Sequence, residues 1–388
     1  MKYDFDRMID RRNTSSLKWD GLRRYFGNGD ELIPMWVADM DFASPPEVVA
    51  ALKNRVEHGV FGYSFRTDSY LDAIKDWLRR RHRWQVEREW ISHSPDVIAA
   101  LSLIVNTFTK PGERIVYQAP VYNFARIIEA QGREAVNNPL MLENGRYTMD
   151  FDDLEAQLSK GAAMLILCSP HNPVGRVWSR EELVRLGELC LKHRTLVVSD
   201  DIHCDLIYKR HSHTPFASIS EAFADQSITC VAPSKTFNLL GLHASSVIIP
   251  NRTLQAKYNQ AVQAWGIESP NTLGTAALES AYRHGEEWLN QLLGYVQSNI
   301  EFVIHFLNKR IPFIHAVKPD GTYFVWLDCR ELGLTRDELD DLFIHKAKVA
   351  LNQGCHFGAE GEGFMRMTVA CPRSVLEKAL IQIEAAVK

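Results

Sequence analysis

Residues 162–170 read AAMLILCSP, residues 180–193 read REELVRLGELCLKH, and residues 195–201 read TLVVSDD. The first and last are short runs, apolar at nearly every position. The middle one places Leu183, Leu186, Leu189 and Cys190 at helical spacing. Strands that are apolar on both faces, separated by an amphipathic helix, argue a mostly parallel sheet covered on both sides. Working outward, the same strand texture returns in residues 114–120 (RIVYQAP), 227–234 (SITCVAPS) and 244–250 (ASSVIIP). From about residue 96 to 250 the reading is α/β, a mostly parallel central sheet sandwiched by helices.

Beyond about residue 275 the pattern changes. A long helical stretch over residues 275–309 precedes a strand at 322–328 (TYFVWLD), a helix near 336–346, strands at 349–352 and 364–370 (FMRMTVA), and a closing helix from about Ser374. This is a smaller α+β unit of roughly 110 residues, long enough to hold its own core. The first 45 residues lack periodicity and contain Pro34 and Pro45, so they read as an extended arm that packs on other parts. The expected division is an arm over 1–45, a large α/β domain over 46–277 and a small α+β domain over 278–388. No internal repeat or low-complexity tract interrupts it.

Composition narrows the function. The 388 residues are 46% hydrophobic and 24% charged, the balance of an ordinary globular protein. Lys and Arg number 44 against 48 Asp and Glu, a net charge of −4, so no basic excess drives binding to nucleic acid or to a membrane surface. The seven cysteines (168, 190, 204, 230, 329, 355 and 371) include no CxxC pair and read as reduced thiols. The first residues alternate charge where a signal peptide needs an apolar core, and no apolar run reaches about 18 residues. The expected location is the cytoplasm.

Open parallel sheets bind ligands at the C-terminal ends of their strands, and four such ends carry Tyr122, Asn172, Asp200 and Lys235. Lys235, in Ala232–Asn238 (APSKTFN), is either a solvated loop lysine or an imine-forming amine held at a pocket where it sheds its proton. Asp200 is either a helix cap or the counter-charge of a buried cation. A pyridoxal phosphate ring nitrogen needs such a carboxylate, since the protonated ring is the electron sink for a carbanion. Asp201 competes for this role, but successive strand residues face opposite ways. Asn172, between Pro170 and Pro173, is either an Asx-turn residue or an amide bonded to a ring hydroxyl. Residues 94–98 (SPDVI) open an apolar helix whose first amides offer an anion site. No nucleotide cradle follows any strand, and no His/Cys spacing suggests a metal.

Taken together, these segments resemble the pyridoxal-phosphate (PLP) enzymes of fold type I, the class I/II aminotransferase superfamily. More narrowly the chain is similar to the MalY/PatB-type cystathionine β-lyases. The pieces that carry the likeness are residues 34–42 (PMWVADMDF), 59–63 (GVFGY), 119–122 (APVY), 199–203 (SDDIH), 232–238, 361–366 (GEGFMR) and 371–373 (CPR). The resemblance implies that Lys235 holds the cofactor covalently and shuttles the Cα proton. It also implies that Asp200 pairs with the ring nitrogen, Asn172 bonds the ring hydroxyl and Tyr122 stacks on the ring. Val97, Ile98 and Ser234 would hold the phosphate, with Tyr63 reaching in from a neighbouring subunit of a homodimer. Arg366 would clamp the substrate carboxylate, with Asn172, Ala38 and Tyr63 also at the substrate.

Departures from the wider superfamily matter as well. His243 stands where a phosphate-binding arginine is common, Ala232 where a hydroxyl is common, and His203 where a tyrosine usually meets the ring hydroxyl. These tilt the expectation towards a carbon–sulfur lyase acting on a sulfur amino acid, with an aminotransferase as the alternative. A lyase that also contacts a regulatory protein is the third reading. Asn352-Gln353-Gly354 replaces a usual Pro-Gly, and the sequence gives no functional account of it.

Overall fold

The computed structural model describes residues 2–27, 29 and 31–388. Its centre is a seven-stranded sheet in the order Ile91–Ser94, Ser245–Ile248, Ser227–Val231, Leu196–Asp200, Ala162–Cys168, Arg114–Tyr117 and Glu134–Asn137. The middle strands obey a period of two. Ile166, Val198 and Ile228 pack on one face with the helix Val97–Phe108. Leu165, Leu167 and Val197 pack on the other with Leu183 and Leu186 of the helix Arg180–Lys192. Both helices are capped by their sequence. Asp96 accepts the amide of Ala99 at 2.8 Å, and Ser179 with Glu182 forms a capping box.

One strand runs against expectation. Ser245–Ile248 is antiparallel to both of its neighbours. It follows Ser227–Val231 after a link that holds only the short helix Pro233–Thr236 and a single further turn, Leu240–Leu242. That link carries no full crossover helix, the usual connection between parallel strands. The two outermost strands, Ile91–Ser94 and Glu134–Asn137, carry mixed polar residues and were not signalled by apolar runs.

The stretch expected as one helix over 275–309 is two, Thr272–His284 and Glu286–Arg310. Gly285 divides them, and a Cβ there would lie 2.4 Å from the ring of Phe237. A second, antiparallel sheet follows in the order His315–Val317, Phe324–Asp328, Phe364–Thr368 and Asn352–Gln353. The helix near 336–346 is an α-helix, Arg336–Asp340, continued by a π-helical turn, Asp341–Lys346. The closing helix is Arg373–Val387. The arm is more ordered than an extended segment. It forms two short helices, Leu17–Asp20 and Leu22–Phe26, and a strand Ile33–Pro34 that pairs in parallel with Val349–Ala350. Among the described residues no helix is long and apolar enough to cross a membrane.

Candidate active site

Lys235 sits where the strand Ser227–Val231 gives way to the helix Pro233–Thr236. Proline at the first helical position has no amide to leave unpaired and a φ already set for the helix. The neighbouring Thr236 hydroxyl donates to Asp205 Oδ2 at 2.8 Å, which pins this short element. Lys235 Nζ donates to the Ala38 carbonyl at 2.8 Å. Burial, reinforced by the Arg366 charge, lowers the amine to about 8, against the opposing pull of Asp39 and Asp200.

Asp200 ends its strand in register with Cys168 on one side and Cys230 on the other. Two weakly polar thiols thus flank a buried carboxylate. Burial raises it to about 7, and the nearby Asp201 pushes the same way against a 3.2 Å bond from the Ile202 amide. No cation lies within ion-pair distance of Asp200 among the described residues. Asp201 is committed elsewhere, 2.8 Å from His213 Nε2 and bonded by the Ser199 hydroxyl.

Arg366 interrupts the apolar strand Phe364–Thr368 and is 2% exposed. Its Nη1 donates to Asn172 Oδ1 at 3.1 Å and its Nη2 to the Trp36 carbonyl at 2.7 Å. Its Nε is buried without a partner. The guanidinium carbon lies 4.3 Å from the Phe324 ring centre and 5.0 Å from that of Phe357. Burial lowers its pKa to about 10, so the group stays cationic at neutral pH. Asn172 is set by its turn, in which both Ser169-Pro170 and Asn172-Pro173 are cis.

The remaining expected residues fall around this centre. Tyr122 is half-exposed, its ring 5.9 Å from Phe357. Val97, buried, and Ile98, exposed, begin the helix Val97–Phe108. His243 Nδ1 reaches Asp96 Oδ2 at the same helix start, at 3.3 Å. Ser234 is half-buried one residue before Lys235. His203 is buried edge-on against Tyr323 and Phe324, its Nδ1 is without a partner, and burial holds its pKa well below the usual histidine value. Tyr63 is not brought to this centre by its own chain. It is wholly exposed, beside a pocket of about 370 Å³ lined by Phe61, Ser64 and residues 269–272.

The sequence profile of the family described as aminotransferase class I and II matches residues 30–383. The chain belongs to that family. It is 46% identical over 385 residues to the cystathionine beta-lyase PatB of Bacillus subtilis (strain 168), covering 99% of each chain. It is 33% identical to the protein MalY of Escherichia coli (strain K12), covering 100% of this chain and 99% of that one. Among solved structures, a PLP-bound protein from Clostridium difficile 630, provisionally named an aminotransferase, superposes with a TM-score of 0.98. That protein is 45% identical, and each chain is covered in full. The kinship with the MalY/PatB-type enzymes expected from sequence is borne out.

The residues present fit the cofactor of this class I and II family. Asp200 is a buried carboxylate lacking a cation, as a ring nitrogen requires. Lys235 is an amine whose proton is easily lost, and a capped helix start provides free amides. Sequence reading missed four participants. Tyr323 donates its hydroxyl to the Ala38 carbonyl at 2.9 Å, and Trp36 contributes only a carbonyl. Phe357 and Phe324 face the guanidinium of Arg366. Among these, the apolar run around Tyr323 and Phe324 was visible as a strand, with nothing to mark its neighbours.

Proposed function

We propose that this chain is a PLP-dependent carbon–sulfur lyase of the cystathionine β-lyase type. It catalyses α,β-elimination of a sulfur amino acid to a thiol, pyruvate and ammonia. The observation that carries the reading is the Lys235 amine, held 2.8 Å from the Ala38 carbonyl, in the same site as Arg366, which has no carboxylate partner among the described residues, and Asp200, which has no cation partner among them. Such a site is complementary to an amino acid whose carboxylate meets Arg366 while its α-proton meets the amine.

When bound, PLP supplies an electron sink for the charge left at Cα. Asp200 would keep the ring nitrogen protonated, Asn172 would bond the ring hydroxyl and Tyr122 would cover a ring face. The amides of Val97 and Ile98, with Ser234, would hold the phosphate, and His203 would be a further cofactor contact. The Arg366 fork orients the substrate through its α-carboxylate, a geometry that lysine reproduces poorly. The Lys235 amine takes the Cα proton, for which a value near 8 leaves a useful fraction in the base form. Thiolate then departs from Cβ, and the three-carbon remainder hydrolyses to pyruvate and ammonia.

Phe61 and Tyr63, both exposed, line one pocket. Exposed aromatics grouped around one pocket are unusual for a free monomer surface. We read this face as the contact of a homodimer in which Tyr63 completes the partner's site. Six of the seven cysteines are buried and none is paired, which suits a reducing compartment, the cytoplasm. We read the arm over 1–45, the large domain over 46–277 and the small domain over 278–388 as the working parts.

Incubation with L-cystathionine and no keto acid tests the function. Pyruvate and thiol should accumulate together over many turnovers. Consumption of L-cystathionine only when a keto acid is added, giving its keto analogue with no thiol or pyruvate released, would assign the chain to the aminotransferases instead.

A further inference from the structure

Residues 36–38 present three successive carbonyls to side chains of the site. Trp36 O accepts from Arg366 Nη2 at 2.7 Å and from Asn352 Nδ2 at 2.8 Å. Val37 O accepts from the Thr368 hydroxyl at 3.1 Å. Ala38 O accepts from Lys235 Nζ at 2.8 Å and from the Tyr323 hydroxyl at 2.9 Å. One stretch of backbone therefore holds both the amine and the guanidinium. Asn352, the departure from Pro-Gly, supplies one of the bonds that fix it.

The same stretch is anchored from the other side by charges belonging to the arm. Arg11 bonds Asp39 through both terminal nitrogens, at 3.0 and 2.6 Å, and its Nη1 also reaches Asp41 at 2.8 Å and the Met40 carbonyl at 3.0 Å. Lys18, wholly buried, donates to Asp41 Oδ2 at 2.6 Å, and the Trp19 indole donates to Asp41 Oδ1 at 2.9 Å. The Trp36 indole returns a bond to the Lys18 carbonyl at 3.1 Å. Asn238, three residues after Lys235, closes the loop by bonding the amide and carbonyl of Met40 and the carbonyl of Phe42, each at 3.0 Å. Lys18 and Asp41 are buried and Arg11 and Asp39 partly so, and burying charge is costly even when it is paired.

We propose that Arg11, Lys18, Asp39 and Asp41 are positioning residues for the reaction, an ionic clamp through which the arm sets the Trp36 and Ala38 carbonyls and thereby aims Arg366 and Lys235. This deepens the lyase reading and rests on it. The side chains of the clamp bond to one another, to Trp19 and to the Met40 carbonyl, and among the described residues make no hydrogen bond to the side chains of Lys235, Asp200 or Arg366. Its effect passes through backbone, so it has no motif of its own beyond the acidic pair in WVADMDF. The charged groups bearing on Lys235 are Arg366, Asp39 and Asp200. Asp39 thus also acts on the amine directly, favouring its protonated form.

Losing Lys18 would strand a buried carboxylate and threaten folding, so the test uses Arg11→Gln and Asp39→Asn, with Arg12→Gln as control. Among the described residues, Arg12 pairs only with the exposed Asp10. Both clamp variants should raise KM for L-cystathionine on the order of tenfold and lower kcat per cofactor-loaded site several-fold, because a shift of about 1 Å at a reacting group is that costly. Arg11→Lys should recover part of the loss, and Arg12→Gln should match wild type. In the cofactor-free protein, the pH midpoint for labelling Lys235 with an amine-reactive probe, mapped by mass spectrometry, should fall in Asp39→Asn. Wild-type KM and kcat per loaded site, with only the melting temperature reduced, would overturn the proposal. So would an unchanged labelling midpoint. If wild-type enzyme releases no thiol at all, the lyase reading fails, while the clamp is still tested by the labelling midpoint in Arg11→Gln, which removes none of the charges bearing directly on the amine: a shifted midpoint supports the clamp and an unchanged one overturns it.

Discussion

Replacing Arg366 with lysine isolates the geometry of the carboxylate site while keeping its charge. The guanidinium spends Nη1 on Asn172 and Nη2 on the Trp36 carbonyl, its Nε is buried and unpaired, and its plane lies between Phe324 and Phe357. A planar fork held this way offers a carboxylate two parallel contacts. An ammonium on a flexible stem offers one and loses the face contacts with both rings. The difference is about one charge-assisted hydrogen bond, ~2 kcal/mol. At 1.36 kcal/mol per decade, this is roughly a 30-fold fall in kcat/KM. Most of it should appear in KM, since the carboxylate is held alike in ground and transition states. Initial rates of pyruvate release across a range of L-cystathionine concentrations, per cofactor-loaded site, give both constants. A KM within about twofold of wild type would refute the assignment, and a loss confined to kcat would move Arg366 from binding to chemistry.

Mixing tests whether two subunits share a site. Tyr63→Ala and Lys235→Ala homodimers should each be nearly inactive, whereas denaturing and refolding them together should recover about a quarter of wild-type activity through one intact site per hybrid dimer. No recovery would place Tyr63 outside the partner's site. Asp205 is 1% exposed and accepts from Trp77, His82 and Thr236. Asp205→Asn should cost about 3 kcal/mol in urea unfolding, and a loss under 1 kcal/mol would show that these bonds are replaceable. Burial holds His171 and His93 near 4, below the usual 6.5. Between these values the unfolded chain binds protons that the folded chain refuses. Stability is therefore full above about pH 6.5 and falls as pH drops towards 4, by roughly 1.4 kcal/mol per unit for each histidine. His171→Phe should shrink this slope of unfolding free energy against pH, and an unchanged slope would contradict the burial argument.

What the sequence made legible was what short, local patterns encode. Strands apolar on both faces, such as 162–168 and 196–200, announced a covered sheet, and their ends announced Asn172, Asp200 and Lys235. The strand Ser245–Ile248 is buried throughout, like the parallel strand Ser227–Val231, yet runs antiparallel to both of its neighbours, because composition reports burial on two faces and not direction. The strands Ile91–Ser94 and Glu134–Asn137 escaped because their side chains are mixed. Arg366 was noticeable as a charge inside an apolar run. Its surroundings were not, since Phe357, Phe324 and the Trp36 carbonyl arrive from separate parts of the chain. Backbone carbonyls carry no residue signature at all, so the role of residues 36–38 became visible only with the fold. Asn352 is the complementary case, an odd residue whose partner, the Trp36 carbonyl, lies 316 positions away.

Everything in this account turns on the amine of Lys235. Purified enzyme, treated with borohydride and digested, should yield a single peptide in which a reduced pyridoxyl phosphate is fixed to Lys235, with loss of the visible absorbance. Lys235→Ala should carry no such adduct and release no pyruvate from L-cystathionine. An adduct on another lysine, or pyruvate release surviving that substitution, would contradict it.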